Sequence, residues 1–391
     1  MFDFDTVIDR RHTHSSKWDA MPAPDGVEDA IPMWVADMDF KAAPVITDAL
    51  TKLGSHGIFG YYGDDRSMRE AVINWMTERH GWTPDPDWIT HTHGLVSAVG
   101  LAIQAFTQPT DAIVVFSPVY HAFGRVIRAN GRPIHEAELK LVQGRYEMDL
   151  DALAEELPSN ARMVIFCSPH NPGGRVWSSE EIKSLAEFCV SRDLLLISDE
   201  VHHDLVFDGA RHHVTMKAAP VISDNLITLT APSKTFNLAG ALTGQVTISN
   251  PKLRQKFQAA IGAAGVGSRN AFGMAAAEAA YRGGAPWLDA LLPYLQANRD
   301  RLQQAVADHL PGARFMELPS TYLAWLDFRE TGLTAEEARY KVENEARVVV
   351  NKGPTFGKGG DGWLRLNFAC PRATLDAAIA RLAQAFQEKA A

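Results

Sequence analysis

The sequence predicts an α/β fold, with a large domain built on a mostly parallel sheet and a smaller α+β domain beside it. Three observations carry this. From about residue 90, short runs of consecutive apolar residues alternate with helix-like segments. Such runs mark strands buried on both faces, the condition of a parallel sheet with helices on either side. After about residue 285 the pattern changes to a long helix followed by short strands. The chain of 391 residues also has the length of two or three domains, enough to form a cleft between them.

Taken in order, residues 95–106 read as a helix. The segment 88–110 has no Asp, Glu, Lys or Arg, but its apolar run spans only 12 residues, too few to cross a membrane. Residues 112–116 (Ala-Ile-Val-Val-Phe) form a buried strand, 119–129 a second helix, and 163–167 (Met-Val-Ile-Phe-Cys) a second buried strand. Ser178-Ser-Glu-Glu181 has capping-box spacing and opens a helix towards Arg192. Residues 194–198, 226–229 and 246–249 supply the third, fourth and fifth strands. Pro286 stands at the start of a long helix that runs to about Leu310. Residues 322–328 alternate like a half-exposed strand, and Thr334-Ala-Glu-Glu337 caps another helix. Short strands at 348–350 and 364–368 precede a last helix from Thr374. The expected division is a large domain of residues 46–285 and a small one of residues 1–45 plus 286–391.

The composition narrows the partners. A formal charge of −9 without a basic stripe makes a poor binder of phosphate backbones, so nucleic acid is not expected. Hydrophobic residues at 46% argue against disorder. Cys167, Cys189 and Cys370 are odd in number and far apart, which points to no disulfide framework and to a reducing cytoplasm. The amino terminus is charged from residue 3 and carries no apolar stretch of signal-peptide length, so neither export nor a membrane is expected.

In open α/β sheets ligands lie beyond the carboxyl ends of the strands. Four polar stretches fall there: Ser117-Pro-Val-Tyr120, Ser168-Pro-His-Asn-Pro-Gly-Gly174, Asp199-Glu-Val-His202 and Thr230-Ala-Pro-Ser-Lys234-Thr-Phe-Asn237. Singly each has a plain explanation. Asn171-Pro-Gly-Gly suits any turn, Asp199 suits a helix cap, and most lysines are solvated. Together they are harder to dismiss. A carboxylate straight after an apolar run risks burial unless a cation meets it. A lysine after another such run risks desolvation, which makes a nucleophilic neutral amine. Add an aromatic face, an amide and a glycine-led helix start, and the set suits a flat, cationic, phosphorylated ring such as pyridoxal phosphate.

The ordered set Tyr120, Asn171-Pro-Gly-Gly174, Asp199-Glu-Val-His202, Ser233-Lys234-Thr-Phe-Asn237 and Arg365-Leu-Asn-Phe368 resembles the fold-type I pyridoxal-phosphate enzymes of aminotransferase class I/II. Phe4-Asp-Thr-Val-Ile-Asp-Arg-Arg11, Met33-Trp-Val-Ala-Asp-Met-Asp-Phe40 and Gly57-Ile-Phe-Gly-Tyr61 resemble its cystathionine β-lyase subgroup, the MalY/PatB type. The resemblance implies the aspartate-aminotransferase-like fold and pyridoxal 5′-phosphate as cofactor. It places the internal aldimine on Lys234, which also moves protons, and sets Asp199 against the pyridine nitrogen. It gives Asn171 and His202 to the 3′-oxygen and Tyr120 to the ring face. The phosphate falls to the free N–H groups of Gly94, Leu95 and Val96 and to the Ser233 hydroxyl. Tyr61 reaches the phosphate from a partner subunit, which makes a homodimer. Arg365 takes the substrate α-carboxylate, and Trp34 and Ala36 line the substrate.

Some positions depart from that pattern. Ala231 and Leu242 stand where many aspartate-aminotransferase relatives have a serine and a phosphate-binding arginine, and His202 replaces a tyrosine. His12 and His14 are not expected in the opening motif. The reaction implied is β-elimination from L-cystathionine or a related cysteine S-conjugate, yielding a thiol, pyruvate and ammonia. Transamination is the alternative, since the same residues serve both. The histidine pairs include no H-E-x-x-H, and isolated pairs are usually packing or surface residues, so no metal is expected. The glycines at 262, 265 and 267 are in the wrong order for a dinucleotide fingerprint, and Gly353 to Lys358 lacks P-loop spacing.

Overall fold

A computed structural model describes residues 2–207 and 209–387. The ends of the expected small domain, Met1 and residues 388–391, lie outside the described residues. Seven strands form the large sheet: β1 (Ile89–Thr92), β2 (Ala112–Ser117), β3 (Ile134–Glu138), β4 (Ala161–Cys167), β5 (Leu195–Asp199), β6 (Leu226–Thr230) and β7 (Gly244–Thr247). Their spatial order is β1-β7-β6-β5-β4-β2-β3. From β6 to β3 every pair is parallel, while β7 runs antiparallel to both of its neighbours.

The five apolar runs of the sequence are β2, β4, β5, β6 and β7. Alternate side chains divide between two cores. Val114, Phe116, Val164 and Leu196 point to one face, and Ile113, Val115, Ile165 and Ile197 to the other. Strands β1 and β3 were not legible as apolar runs because they are edges. Their residues, Ile-Thr-His-Thr and Ile-His-Glu-Ala-Glu, are only partly buried.

Three helices matter for the site: α1 (Arg66–His80), α2 (Leu95–Phe106) and α3 (His121–Ala129). Helix α4 (Ser179–Ser191) starts at the expected capping box, with Ser178 accepting from Glu181 N–H and Glu181 accepting from Ser178 N–H. A single turn, α5 (Pro232–Thr235), follows β6.

The second sheet is antiparallel, in the order β8 (Arg314–Phe315), β9 (Leu323–Asp327), β11 (Trp363–Asn367), β10 (Asn351–Lys352). Helices α6 (Ala285–His309) and α7 (Arg372–Gln387) pack with it. The half-exposed strand expected at 322–328 is a correction, because β9 is buried at every residue. Trp325 stacks on Trp363 at 5.3 Å and donates from Nε1 to the Tyr146 hydroxyl. Tyr146, from a hairpin at residues 140–147, therefore helps to cover the face that the sequence left to solvent. Residues 31–32 pair in parallel with 348–349, and Asn367 N–H donates to Met33 O. The stretch 33–40 is thereby led from the second sheet towards the large one. No helix among the described residues is long and apolar enough to cross a membrane.

Candidate active site

The register places the four polar stretches together. Cys167 lies opposite Asp199, and Asp199 opposite Leu229, so β4, β5 and β6 end side by side. Strand β1 runs parallel to β6, and the start of α2 therefore opens at the same rim.

Lys234 rises from α5 and donates from Nζ to Ala36 O at 2.7 Å. Desolvation, and then the Arg365 guanidinium, push its amine down to about 8. Asp199 ends β5 and is buried. Its carboxylate receives the Val201 N–H at 3.2 Å, and no cation bonds to it among the described residues. Burial pushes it up to about 7. His202 is buried beside it with Nδ1 unpartnered. Burial, Lys234 and Arg365 hold its ring neutral.

Arg365 sits in the middle of β11, 2% exposed, and its guanidinium lies 4.9 Å over the Phe356 ring. Nη1 donates to Asn171 Oδ1 at 2.9 Å, and Nη2 donates to Trp34 O and Asn351 Oδ1. Of the five N–H groups of a guanidinium, these bonds leave the Nε–H and one on Nη1 for a ligand. The fork is thus held by the protein on one side. Burial brings its pKa down to about 10. Asn171 is more than a turn residue, since it ties the β4 loop to β11. The loop also fits closely against the second sheet. Gly174 has φ +63°, and a Cβ there would lie 2.0 Å from Leu318 Cδ1.

Tyr120 precedes α3, half-buried, with its ring edge-on to Phe123 at 5.6 Å. Ser233 is half-buried on the turn that carries Lys234. At the start of α2, Leu95 and Val96 have first-turn amides that lack helical acceptors. Gly94 is a correction: its N–H is not free but donates to Thr92 O at 2.9 Å. Its φ of +81° turns the chain into the helix, a conformation glycine takes without strain. Leu242 adopts φ +45° close to this turn and is 55% exposed.

This chain matches the aminotransferase class I and II family over residues 29–382. It belongs to that family. It is 40% identical to the cystathionine β-lyase PatB of Bacillus subtilis over 381 residues, covering 97% of this chain and 98% of PatB. Among solved structures, cystalysin of Treponema denticola, which contains pyridoxal 5′-phosphate, matches with a TM-score of 0.94 at 33% identity over 99% of each chain. The PLP-bound C–S lyase of Staphylococcus hominis matches at 0.91 and 30%, again over 99% of each.

Not every predicted residue of this class I and II aminotransferase relative joins the cluster. Tyr61 is 97% exposed, next to exposed Ile58 and Phe59. His12 and His14 lie in a turn whose N–H groups converge on Asp19, and no bond links them to the site among the described residues. Trp34 and Ala36 act through their carbonyls: Trp34 O accepts from Arg365, and Ala36 O accepts from Lys234 and from the Tyr322 hydroxyl. Tyr322, Asn351 and Phe356 escaped the sequence reading because nothing in their local pattern separates them from core or loop residues. His203 and His212 are buried, as packing residues would be, but they pair with Asp204 and Glu200.

Proposed function

We propose that this chain is a pyridoxal 5′-phosphate-dependent carbon–sulfur β-lyase, cleaving L-cystathionine or a related cysteine S-conjugate to a thiol, pyruvate and ammonia. The carrying observation is Asp199, a buried carboxylate with one N–H donor and no bonded cation among the described residues. Such a group is satisfied by a cationic ring nitrogen, and burial makes that pairing strong. The choice of β-elimination over transamination is supported by full-length similarity to PatB and to the C–S lyase of Staphylococcus hominis.

The bound cofactor supplies an electron sink for the bond broken at the substrate α-carbon. The residues divide the remaining work. Asp199 keeps the proton on the ring nitrogen. Asn171 and His202 would hold the 3′-oxygen, and Tyr120 would cover the ring. Leu95 and Val96 N–H groups, with Ser233, bind the phosphate, where the helix dipole favours an anion. Arg365 offers its remaining N–H groups to the α-carboxylate, and Lys234 Nζ removes the α-proton. With the cofactor bound, this arrangement would favour loss of a leaving group at Cβ over return of the proton.

A domain division at residues 46–285 against 1–45 plus 286–391 is supported by the separation of the seven-stranded sheet from the four-stranded one. A homodimer in which Tyr61 reaches the partner's phosphate is supported by the exposure of Ile58, Phe59 and Tyr61 at 70%, 59% and 97%. A cytoplasmic place agrees with three buried unpaired cysteines. The decisive assay incubates the enzyme with L-cystathionine alone and, separately, with L-alanine or L-aspartate plus 2-oxoglutarate. Pyruvate and thiol from the first with only trace glutamate from the second is the expected result. Glutamate forming much faster than pyruvate overturns the lyase in favour of an aminotransferase.

A further inference from the structure

Beneath the candidate site lies a polar network that the proposed reaction does not use. Asp204, its side chain 1% exposed, is surrounded by donors from three elements. Trp75 and His80 reach it from α1: Trp75 Nε1 donates to both carboxylate oxygens at 3.2 and 3.1 Å, and His80 Nε2 to Oδ1 at 2.8 Å. His203 Nε2 stands 3.1 Å from Oδ2. The third hydrogen-bond donor is the hydroxyl of Thr235, which reaches Oδ2 at 2.7 Å. Thr235 is fully buried and is the residue after Lys234.

His80, His203 and Asp204 offer ligand atoms within 4.8 Å of one another, the spacing of a metal seat. However, both carboxylate oxygens already receive N–H and O–H donors. The carboxylate is held by the hydrogen bonds of Trp75, His80 and Thr235 and by the ion pair with His203.

Its place is informative. The turn α5 has four residues, and a single turn is not stable by itself, because nucleating it costs more than its few hydrogen bonds return. Lysine adds a flexible four-carbon stem. The aim of Nζ therefore depends on how firmly the backbone at 234 is held from outside. Asn237 ties the far end of the turn, accepting from Met38 N–H and donating to Met38 O. Thr235, the last residue of the turn and the neighbour of Lys234, is tied to Asp204.

We propose that Asp204 is a positioning residue for Lys234: through the Thr235 hydroxyl it clamps the turn that carries the lysine and so sets where the ε-amine sits. The inference rests on the reading of Lys234 as the cofactor lysine. The carboxylate is a suitable anchor because it stays charged. Burial alone would raise it, but His203 and His80 hold it well below the usual range. A purely structural role would leave the lysine's surroundings unchanged, and this separates the two.

In the cofactor-free protein the groups facing Nζ are Arg365, Asp37, Asp199, His202 and the Ala36 carbonyl. If the clamp is released, water reaches the amine and its pKa climbs towards the ordinary value of about 10.4. The test acylates the cofactor-free full chain with acetic anhydride across a pH series. Modification of the Lys234 peptide is then read by mass spectrometry, with an exposed lysine as reference. The wild-type midpoint should lie at about 8. Thr235→Val and Thr235→Ala, which remove the hydroxyl, should raise it by about one unit or more, and Thr235→Ser should restore it. Thr235→Ala serves if the valine variant does not fold. An unchanged midpoint in a folded hydroxyl-free variant, whatever its loss of melting temperature, would overturn the clamp. Borohydride reduction with pyridoxal phosphate is scored apart. Labelling of another lysine would end the cofactor reading and leave the midpoint result standing.

Discussion

Asp199 and Glu200 are neighbours, both buried, and the fold treats their charges in opposite ways. Glu200 meets His212 Nε2 at 2.8 Å, the Thr215 N–H at 3.0 Å and the Ser198 hydroxyl. Burial raises its pKa, but these partners more than offset it, so the net shift is downward. Asp199 has one weak donor and is pushed up to about 7. The difference lies in strand alternation, which sends Glu200 into the satisfied network and Asp199 towards the rim.

Two predictions belong to this residue. Asp199→Asn should keep the fold and lose about 100-fold or more in turnover, because an amide cannot hold the ring nitrogen protonated. Near-wild-type turnover would remove Asp199 from the proposed mechanism. The second concerns pH. A carboxyl whose folded pKa lies above its unfolded value contributes stability at low pH and loses it as pH rises, here between about 4 and 7. Without cofactor, the wild type should therefore fall behind Asp199→Asn in melting temperature as pH goes from 5 to 8. The two should converge near pH 4. Parallel melting curves across that range would contradict the burial of an unpaired carboxylate.

At the scale of elements, the capping signals were the most legible. Ser178 with Glu181 and Thr334 with Glu337 both form complete capping boxes, because the side chains that satisfy a helix end lie within four residues of each other. Ser178→Ala should cost about 1 kcal/mol in a denaturant titration and leave cofactor absorbance unchanged. A loss of cofactor binding would mean that α4 supports the site directly. Elements whose environment comes from elsewhere were read less well. Strand β9 looked half-exposed until Tyr146, from a distant segment, covered Trp325. Strands β1 and β3 were invisible as apolar runs because edge position, not propensity, lets them carry His, Thr and Glu.

At the scale of the whole molecule, Ile58, Phe59 and Tyr61 form an exposed apolar group among the described residues, with Phe272 packed on Phe59 at 5.3 Å. If Tyr61 serves the partner's site, Lys234→Ala and Tyr61→Ala should complement each other. A mixed dimer then holds one site with both residues intact, and remixing equal amounts should restore about a quarter of the sites of a two-fold dimer. No gain over the separate variants would place Tyr61 outside the partner's site.

The α/β class, five of the seven strands of the large sheet and both capping boxes were legible in the chain itself, Lys234, Asp199 and Asn171 stood out after apolar runs, and Arg365 was marked by the family resemblance. Apart from Arg365, these depend on local information: apolar runs, capping spacing and polar residues that follow a strand at its carboxyl end. Distance decided the rest. Arg365 turned out to be held by Asn171, Trp34 and Asn351, residues 194, 331 and 14 positions away. Gly94 spends its N–H on Thr92, which only the backbone path through a positive φ reveals. Asp204 was one acidic residue among 47 Asp and Glu until the fold brought three hydrogen-bond donors and the His203 ion pair around it. A sequence states which groups are available and which will be buried. Which groups meet is decided by packing, because burial leaves each polar atom to find its partner in space and not along the chain.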